Sequence, residues 1–131
     1  MKSYRKTIKK VLLIVLATLI AVYMVMLLDT NSVMRYAKSV FNGEISEEEV
    51  IDTPLYIRYY PKSPEIAKTD SKIRRIFVAH DFVDGYMWVK YDLVRINSAG
   101  EEFSGSWDVL SRWKIHRENG EWKVVEIEEA P

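Results

Sequence analysis

An uninterrupted stretch of 18 uncharged residues, from Val11 to Leu28, constrains this chain more than any other feature. As an α-helix the stretch is about 27 Å long, close to the ~30 Å thickness of the hydrocarbon core of a bilayer. Thr18 and Tyr23 carry its polar side-chain groups. A threonine hydroxyl can bond to a backbone carbonyl one turn earlier, so it costs little in lipid. The stretch therefore predicts a transmembrane helix over residues 11–28.

The charges on either side of this stretch predict its orientation. Five basic residues lie within the first ten positions, where there is no acidic residue, and Asp29 follows the stretch directly. By the positive-inside rule, residues 1–10 form a basic cytoplasmic tail and residues 29–131 lie across the membrane. We therefore expect a single-pass signal anchor in the cell membrane, with an extracytoplasmic domain in the cell envelope.

Two other interpretations of the stretch stay open at this point. A cleaved signal peptide has the same basic start, but its apolar segment usually spans about 7 to 15 residues and ends at a small-residue cleavage site. No such site follows Leu28, where the nearest small residues are Thr30 and Ser32. A buried core helix is the third interpretation, although such a helix normally shows a polar stripe.

Charge and cysteine content exclude several classes of function. The chain has 19 basic and 19 acidic residues, but the part after residue 10 has 14 basic residues against 19 acidic ones. We expect no nucleic-acid partner, because phosphate contacts need clustered Lys and Arg. The absence of cysteine excludes disulfides, a thiol nucleophile and Cys-ligated metals. The two histidines, His80 and His116, lack identifiable carboxylate partners, so we expect no metal and no cofactor.

The first third of residues 29–131 predicts helices. One apolar helix stripe is formed by Val33, Tyr36, Ala37, Val40 and Phe41. Asn42-Gly43 is a helix stop signal. Ser46 followed by Glu49 is a capping-box pattern, which predicts a second short helix that ends before Pro54. The next segment, LYIRYY, predicts a short strand because it is rich in aromatic and β-branched residues.

The last 59 residues predict an antiparallel meander of four strands. The turn signals are Asp84-Gly85, Ser98-Ala99-Gly100 and Asn119-Gly120. The predicted strands are Ile73–His80, Tyr86–Asn97, Glu102–Arg117 and Trp122–Glu128. Their predicted pairs are Glu118 with Glu121, Ile115 with Val124, Asn97 with Glu102, and Trp88 with Ser111.

This register divides the meander into two faces. The predicted core face carries Tyr86, Trp88, Val94, Ile96, Phe103, Trp107, Val109, Trp113, Ile115, Trp122 and Val124. The other face carries seven apolar residues: Met87, Val89, Tyr91, Leu93, Leu110, Val125 and Ile127. Because a contiguous apolar patch of this size usually marks a contact surface, we expect these seven residues to form a partner interface. A homodimer is the first candidate and another envelope protein is the second.

The C-terminal 47 residues resemble the terminal sheet of nuclear-transport-factor-2-like (cystatin-like) domains. The shared features are a hydrophobic strand with a charged middle, a glycine turn, a long strand ending in W-K-I, and then N-G and W-K-V-V. The ending NGEWKVVEIEE is similar to that of small membrane-anchored or lipid-anchored bacterial proteins of this fold. The resemblance implies an α+β domain in which N-terminal helices pack on a bent four-stranded antiparallel sheet.

That fold hosts isomerases, dehydratases, transport adaptors and secretion-system assembly proteins, so it does not determine function alone. Its enzymes place an acidic or histidine base in a pocket between sheet and helices, for which the candidates are His80, Asp81, Asp92 and Asp108. A general base also needs an oxyanion donor and a dry pocket, and the sequence identifies neither. We therefore expect no catalytic residue.

A short basic tail, one helix and a small outer domain of this type are similar to the arrangement in secretion and conjugation assembly proteins. We therefore expect a non-enzymatic interaction or assembly module. The alternative is a domain that binds a small ligand or cell-wall glycan in the pocket between sheet and helices, with the four tryptophans as a platform. Tryptophans in a small domain also serve as core residues.

Overall fold

The computed structural model describes residues 2–129, and it shows a long N-terminal helix followed by an α+β domain. The helices are α1 (Lys2–Asp29), α2 (Asn31–Phe41), α3 (Glu47–Val50) and α4 (Pro54–Tyr59). The strands are β1 (Lys68–His80), β2 (Asp84–Ile96), β3 (Glu102–Glu118) and β4 (Glu121–Glu129). They form one antiparallel sheet in the order β1-β2-β3-β4. The predicted α+β fold is confirmed.

Helices α1 and α2 form a helical segment of 40 residues that is interrupted at Thr30. The Thr30 hydroxyl donates to the carbonyl of Met26 at 2.8 Å, a local bond that often accompanies a bend. Helix α1 is long and apolar enough to cross a membrane. None of its most apolar 18-residue window is buried by the domain, so α1 is not a core helix.

Helix α2 closes the core with its predicted apolar stripe. Val33, Ala37, Val40 and Phe41 are buried against the sheet, whereas Tyr36 is partly exposed. The helix ends at Phe41, and Gly43 follows with a φ of +66°, a conformation that favours glycine. The stop signal is confirmed, and so is the helix stripe for four of its five residues, the exception being Tyr36.

The LYIRYY segment belongs to helix α4, so the predicted strand is wrong. Thr53 is the N-cap, and its hydroxyl accepts a hydrogen bond from the amide of Tyr56 at 3.2 Å. Pro54 follows as the first helical residue, a position that suits its fixed φ. Leu55 and Tyr59, one helical turn apart, are buried. The cap and this spacing prevail over the strand preference of the aromatic residues.

A β-bulge interrupts the pairing of β2 with β3. Between the bulge and the connecting turn, Leu93 pairs with Ser106, as the sequence register predicts. At the turn itself a further shift pairs Glu102 with Ile96, so the predicted pair of Asn97 with Glu102 is wrong. Trp107 and Asp108 then lie together opposite Asp92, and Asp108 has a φ of +50°. The Asp108 amide, which the bulge removes from the ladder, donates to the Asp92 carboxylate at 2.6 Å. The bulge therefore inserts one residue into β3 that the predicted register lacks.

The extra residue reverses the predicted faces of β2 and of the part of β3 between the bulge and the β2–β3 turn. Beyond the bulge, Val89 pairs with Ser111, where the sequence predicts Trp88. A shift of one residue turns each side chain to the opposite face. A second irregularity follows in β4, where Ile115 pairs with Val124 as predicted but Trp113 pairs with Ile127.

The face turned toward the helices forms the core. Its buried sheet residues are Val78, Met87, Val89, Tyr91, Trp113, Ile115, Trp122 and Val124. Four aromatic rings meet where α2 and α4 cover the sheet. The centroid of the Phe41 ring lies 4.3 Å from that of Tyr59 and 5.3 Å from that of Tyr91, and the Tyr59 and Trp113 centroids are 5.9 Å apart. Of the predicted core, the β3 and β4 residues beyond the bulge are confirmed, whereas Tyr86, Phe103 and Trp107 are exposed.

Arg95 connects the far end of the sheet to the helices. Its guanidinium donates to the Phe41 carbonyl at 2.7 Å and to the Thr69 hydroxyl at 2.6 Å, and also to the Tyr59 carbonyl. Phe41 and Tyr59 are the last residues of helices α2 and α4, where carbonyl groups without a partner inside the helix attract a cation. Burial lowers the pKa of Arg95. The Arg95 side chain therefore joins the ends of α2 and α4 to the sheet.

Candidate interaction surface

The seven residues predicted to form a partner interface do not share one face. Five of them face the core: Met87, Val89, Tyr91, Leu93 and Ile127. Leu110 and Val125 remain on the outer surface, where they are 51% and 45% exposed. The bulge at Asp108 is the physical reason, since it reverses the faces of β2 relative to the predicted register. The exposed apolar side chains of the sheet are therefore largely a different set.

The outer face of the sheet carries two separate groups of apolar side chains. The distal patch lies toward the β2–β3 turn and consists of the exposed Phe103 and Trp107 and the half-buried Val94 and Ile96. The proximal row lies near the end of α1 and consists of Phe77, Trp88 and Tyr86. Ile96 and Trp88 are eight residues apart on β2, which corresponds to about 26 Å along the strand.

Trp107 is the most exposed residue of the distal patch, with 62% of its surface accessible. Its indole lies against the backbone of Gly105, where a Cβ atom would overlap the ring. Only glycine at position 105 leaves room for this arrangement. Trp107 is thus a large exposed aromatic side chain whose position depends on glycine at 105. Such residues often provide much of the binding energy in protein interfaces.

The carboxylates considered as catalytic candidates have structural contacts. Asp92 accepts the Asp108 amide, and Asp108 forms an ion pair with Lys90 at 3.5 Å on the outer surface. Asp81 accepts two backbone amides of the β1–β2 turn, at 3.0 and 2.7 Å, and these bonds lower its pKa. The Asp92 side chain therefore stabilises the bulge and that of Asp81 the turn, whereas the Asp108 carboxylate forms an exposed ion pair.

His80, the fourth catalytic candidate, is buried at the end of β1. Its Nδ1 accepts a hydrogen bond from the amide of Phe82 at 3.0 Å, and its Nε2 lies 3.9 Å from the Asp29 carboxylate. Burial lowers the pKa of His80, and Asp29 opposes that effect in part. Trp122 lies beside the imidazole, with ring centroids 4.5 Å apart. The contacts place His80 at the junction between α1 and the sheet.

This junction fastens the end of α1 to both edges of the sheet. On β4, the Trp122 Nε1 donates to the Asp29 carboxylate at 2.8 Å. On β1, Arg75 donates to the Leu27 carbonyl at 2.9 Å and to the Thr30 hydroxyl at 2.8 Å. The helix therefore has a defined orientation relative to the domain.

Glu129 at the end of β4 lies between two tyrosines of the core. Tyr91 donates to its carboxylate, and so does Tyr59 at 3.3 Å. Ser111 lies 3.2 Å from the Tyr59 hydroxyl and accepts from the Trp113 indole at 2.9 Å. Burial raises the pKa of Tyr59 to about 12, and burial together with the Glu129 contact raises that of Tyr91. Sequence reasoning missed this polar cluster, because no local pattern relates its members.

A cleft of about 530 Å³ lies between the helices and β4. Its lining combines the polar side chains of Tyr36, Glu49 and Thr53 with the apolar side chains of Leu55 and Trp122. Burial raises the pKa of the Tyr36 hydroxyl, and the nearby Glu49 carboxylate adds to that effect. Clefts of this size accommodate small ligands.

Over residues 2–129, no three His, Asp or Glu side chains are grouped so that they could hold a metal ion. Known protein families, characterised proteins and solved structures include no match to this chain.

Proposed function

We propose that this chain is a single-pass membrane protein whose basic tail lies in the cytoplasm and whose domain lies in the cell envelope. The proposal is supported by the exposed apolar surface of α1 and by the basic residues that precede it. In this proposal the domain is a non-enzymatic interaction or assembly module of the cystatin-like type. Its orientation at the membrane is fixed by the Arg75 and Trp122 contacts with the end of α1.

The observation that carries the interaction role is the position of Trp107 on Gly105. An indole in water forgoes the stabilisation that burial against a partner would give. On β2 the distal patch begins at Val94, about 20 Å along the strand from Trp88 of the proximal row, so it is separated from the anchor helix and free to contact a partner protein. A second copy of the chain is the first candidate, and another envelope protein is the second.

The test places a photo-crosslinking phenylalanine analogue at position 103 of the full-length chain in native membranes. Phe103 belongs to the distal patch, and the analogue preserves its aromatic ring. The control carries the same analogue at Val125, which is similarly exposed on the outer face but outside the patch. We expect an adduct from position 103 that is strongly reduced when Trp107→Ala is added. An adduct of twice the chain mass identifies a second copy.

Two results would contradict the interaction role. The first is the absence of an adduct from position 103 while the protein is folded and present in the membrane. The second is equal crosslinking from positions 103 and 125, because this would show random collisions. Gly105→Ala provides an independent check, since the added methyl group displaces the indole without removing it. We expect this variant to reduce the adduct as well.

The cleft supports a second candidate function, the binding of a small ligand or cell-wall glycan. The supporting observation is the convergence of Tyr36, Glu49 and Thr53 on a cavity of about 530 Å³. Titration of soluble cell-wall glycan fragments against the detergent-solubilised protein tests this role by calorimetry. Binding that is lost in both Tyr36→Phe and Glu49→Gln would favour it. Heats equal to those of dilution would exclude it for this class of ligand.

A further inference from the structure

Tyr23 connects the apolar helix α1 with the outer face of the sheet. It lies five residues before Leu28, the end of the apolar stretch, which corresponds to about 7.5 Å along the helix axis. Its ring stacks on Phe77 of β1, with centroids 5.5 Å apart and planes inclined by 23°. Part of the sheet therefore lies at the same level along the axis as the last turns of the apolar stretch.

The proximal row continues from this contact across the outer face. The ring centroids of Phe77 and Trp88 are 5.6 Å apart, and those of Trp88 and Tyr86 are 6.1 Å apart. Phe77 and Tyr86 are 46% and 37% exposed. The Arg112 guanidinium covers the Tyr86 ring at 4.9 Å. Aromatic rings next to a cationic side chain are the composition that membrane-water interfaces favour.

The junction keeps the row at this level. Arg75 holds β1 against the helix through the Leu27 carbonyl, the Thr30 hydroxyl and the Asn31 side chain, the last at 2.9 Å. Trp122 holds β4 through Asp29. Because the contacts come from both edges of the sheet, the sheet cannot turn away from the helix without breaking several hydrogen bonds.

We propose that the proximal row rests in the headgroup region of the phospholipid bilayer, on the side where α1 leaves the membrane. This inference rests on the proposed anchoring of the chain by α1. The partner is the lipid surface itself: Trp88 and Tyr86 lie among the headgroups, and Ile76, exposed beside them in a bulge of β1, reaches the outermost acyl carbons. The distal patch then faces away from the lipid.

The experiment uses the absence of cysteine from the chain, which permits single nitroxide labels at chosen positions. Full-length protein carrying Leu16→Cys, Ile76→Cys or Ala99→Cys is reconstituted into phosphatidylcholine vesicles that contain a minority of phosphatidylglycerol. Leu16 reports on the anchor, Ile76 on the row, and Ala99 on the exposed β2–β3 turn. Spin relaxation measures how often the nitroxide collides with oxygen, which concentrates in lipid, and how often it collides with a nickel chelate, which stays in water. Circular dichroism verifies that each labelled variant is folded.

We expect lipid-like values at 16, interfacial values at 76 and aqueous values at 99. Lipid-like values at 16 with aqueous values at both other positions would overturn the inference and leave the anchoring proposal standing. Aqueous values at 16 would overturn both. Equal immersion at 76 and 99 would also overturn the inference, because the distal end of the sheet would then touch the membrane.

A second measurement uses protein without a nitroxide, so that the label itself cannot alter the result. Lipids brominated near the headgroup quench tryptophan fluorescence at close range. We expect most of the quenching in the full-length protein to disappear in Trp88→Phe and to persist in Trp107→Phe. The opposite result would show that the distal patch, and not the proximal row, contacts the bilayer.

Discussion

The imidazole Nε2 of His80 lies 3.9 Å from the Asp29 carboxylate at the junction of α1 with the sheet. Among the described residues, 2–129, this nitrogen has no hydrogen-bond partner, and the side chain is fully buried. Its Nδ1 already accepts from the Phe82 amide, so protonation there would cost a hydrogen bond. The folded protein therefore favours neutral His80.

The first prediction follows from this preference. The folded pKa of His80 lies below its ordinary value of 6.5, so the unfolded chain binds more protons in this range. The free energy of unfolding should therefore decrease as the pH falls from about 6.5 through the folded pKa, and this contribution is constant at higher pH. Urea unfolding of the full-length protein in detergent between about pH 7.5 and pH 5, a range that spans the ordinary histidine pKa, measures the effect.

His80→Asn is the matched control, because its amide oxygen can accept the Phe82 hydrogen bond but does not titrate. The decrease between the two pH values should be smaller in this variant than in the unmodified protein. Equal decreases would show that other groups account for the acid sensitivity.

The second prediction compares Met87→Ala with Leu110→Ala, two residues that the sequence register places on one face. Met87 is fully buried in the structure and Leu110 is half exposed. Removal of a buried methionine side chain should cost about 2–5 kcal/mol, whereas the exposed change should stay within about 0.5 kcal/mol. Thermal unfolding of both variants measures the difference. Similar losses would mean that Leu110 is also covered.

The outcome at these residues shows how far the sequence determines the sheet. Apolar alternation and the Asn119-Gly120 turn predict the four strands and the pairing of Glu118 with Glu121. The bulge at Asp108 leaves no such trace, because it depends on a local bond between the Asp108 amide and Asp92. One inserted residue is enough to exchange the faces. The strands were therefore predictable and the exposed surface was not.

The third prediction concerns the β3–β4 turn. Asn119 and Gly120 have φ values of +51° and +80°, as the sequence predicts for this two-residue turn. Gly120→Val should lower the free energy of unfolding by about 1–3 kcal/mol, since a β-branched residue is strained there. Gly120→Asn is the control, because asparagine tolerates this conformation. No atom lies within 4 Å of a Cβ at this position, so equal losses in both variants would point away from backbone strain.

The fourth prediction tests the proposed topology. A reporter enzyme that is active only outside the cytoplasm, fused after residue 131, should be active because the basic tail stays inside. The full-length protein should remain in membranes washed with alkaline carbonate. A soluble product shortened by roughly 30 residues would instead indicate a cleaved signal peptide.

The candidate interaction surface was less predictable than the fold. The position of Trp107 two residues after Gly105 is a local signal, since residues i and i+2 share one face of a strand and a glycine there leaves room for a ring. The junction offers no comparable signal. Arg75 contacts Thr30 and Trp122 contacts Asp29, and these partners are 45 and 93 residues apart in the chain.

The separation of Asp29 and Trp122 has a consequence for biosynthesis. The ribosome makes Asp29 with helix α1, and the indole that holds it is synthesised 93 residues later. The apolar stripe of α2 also emerges before any strand that covers it. Contacts between such distant residues form slowly, because a long loop must close first. The core under α2 therefore closes only late in synthesis, after Trp122 has been made.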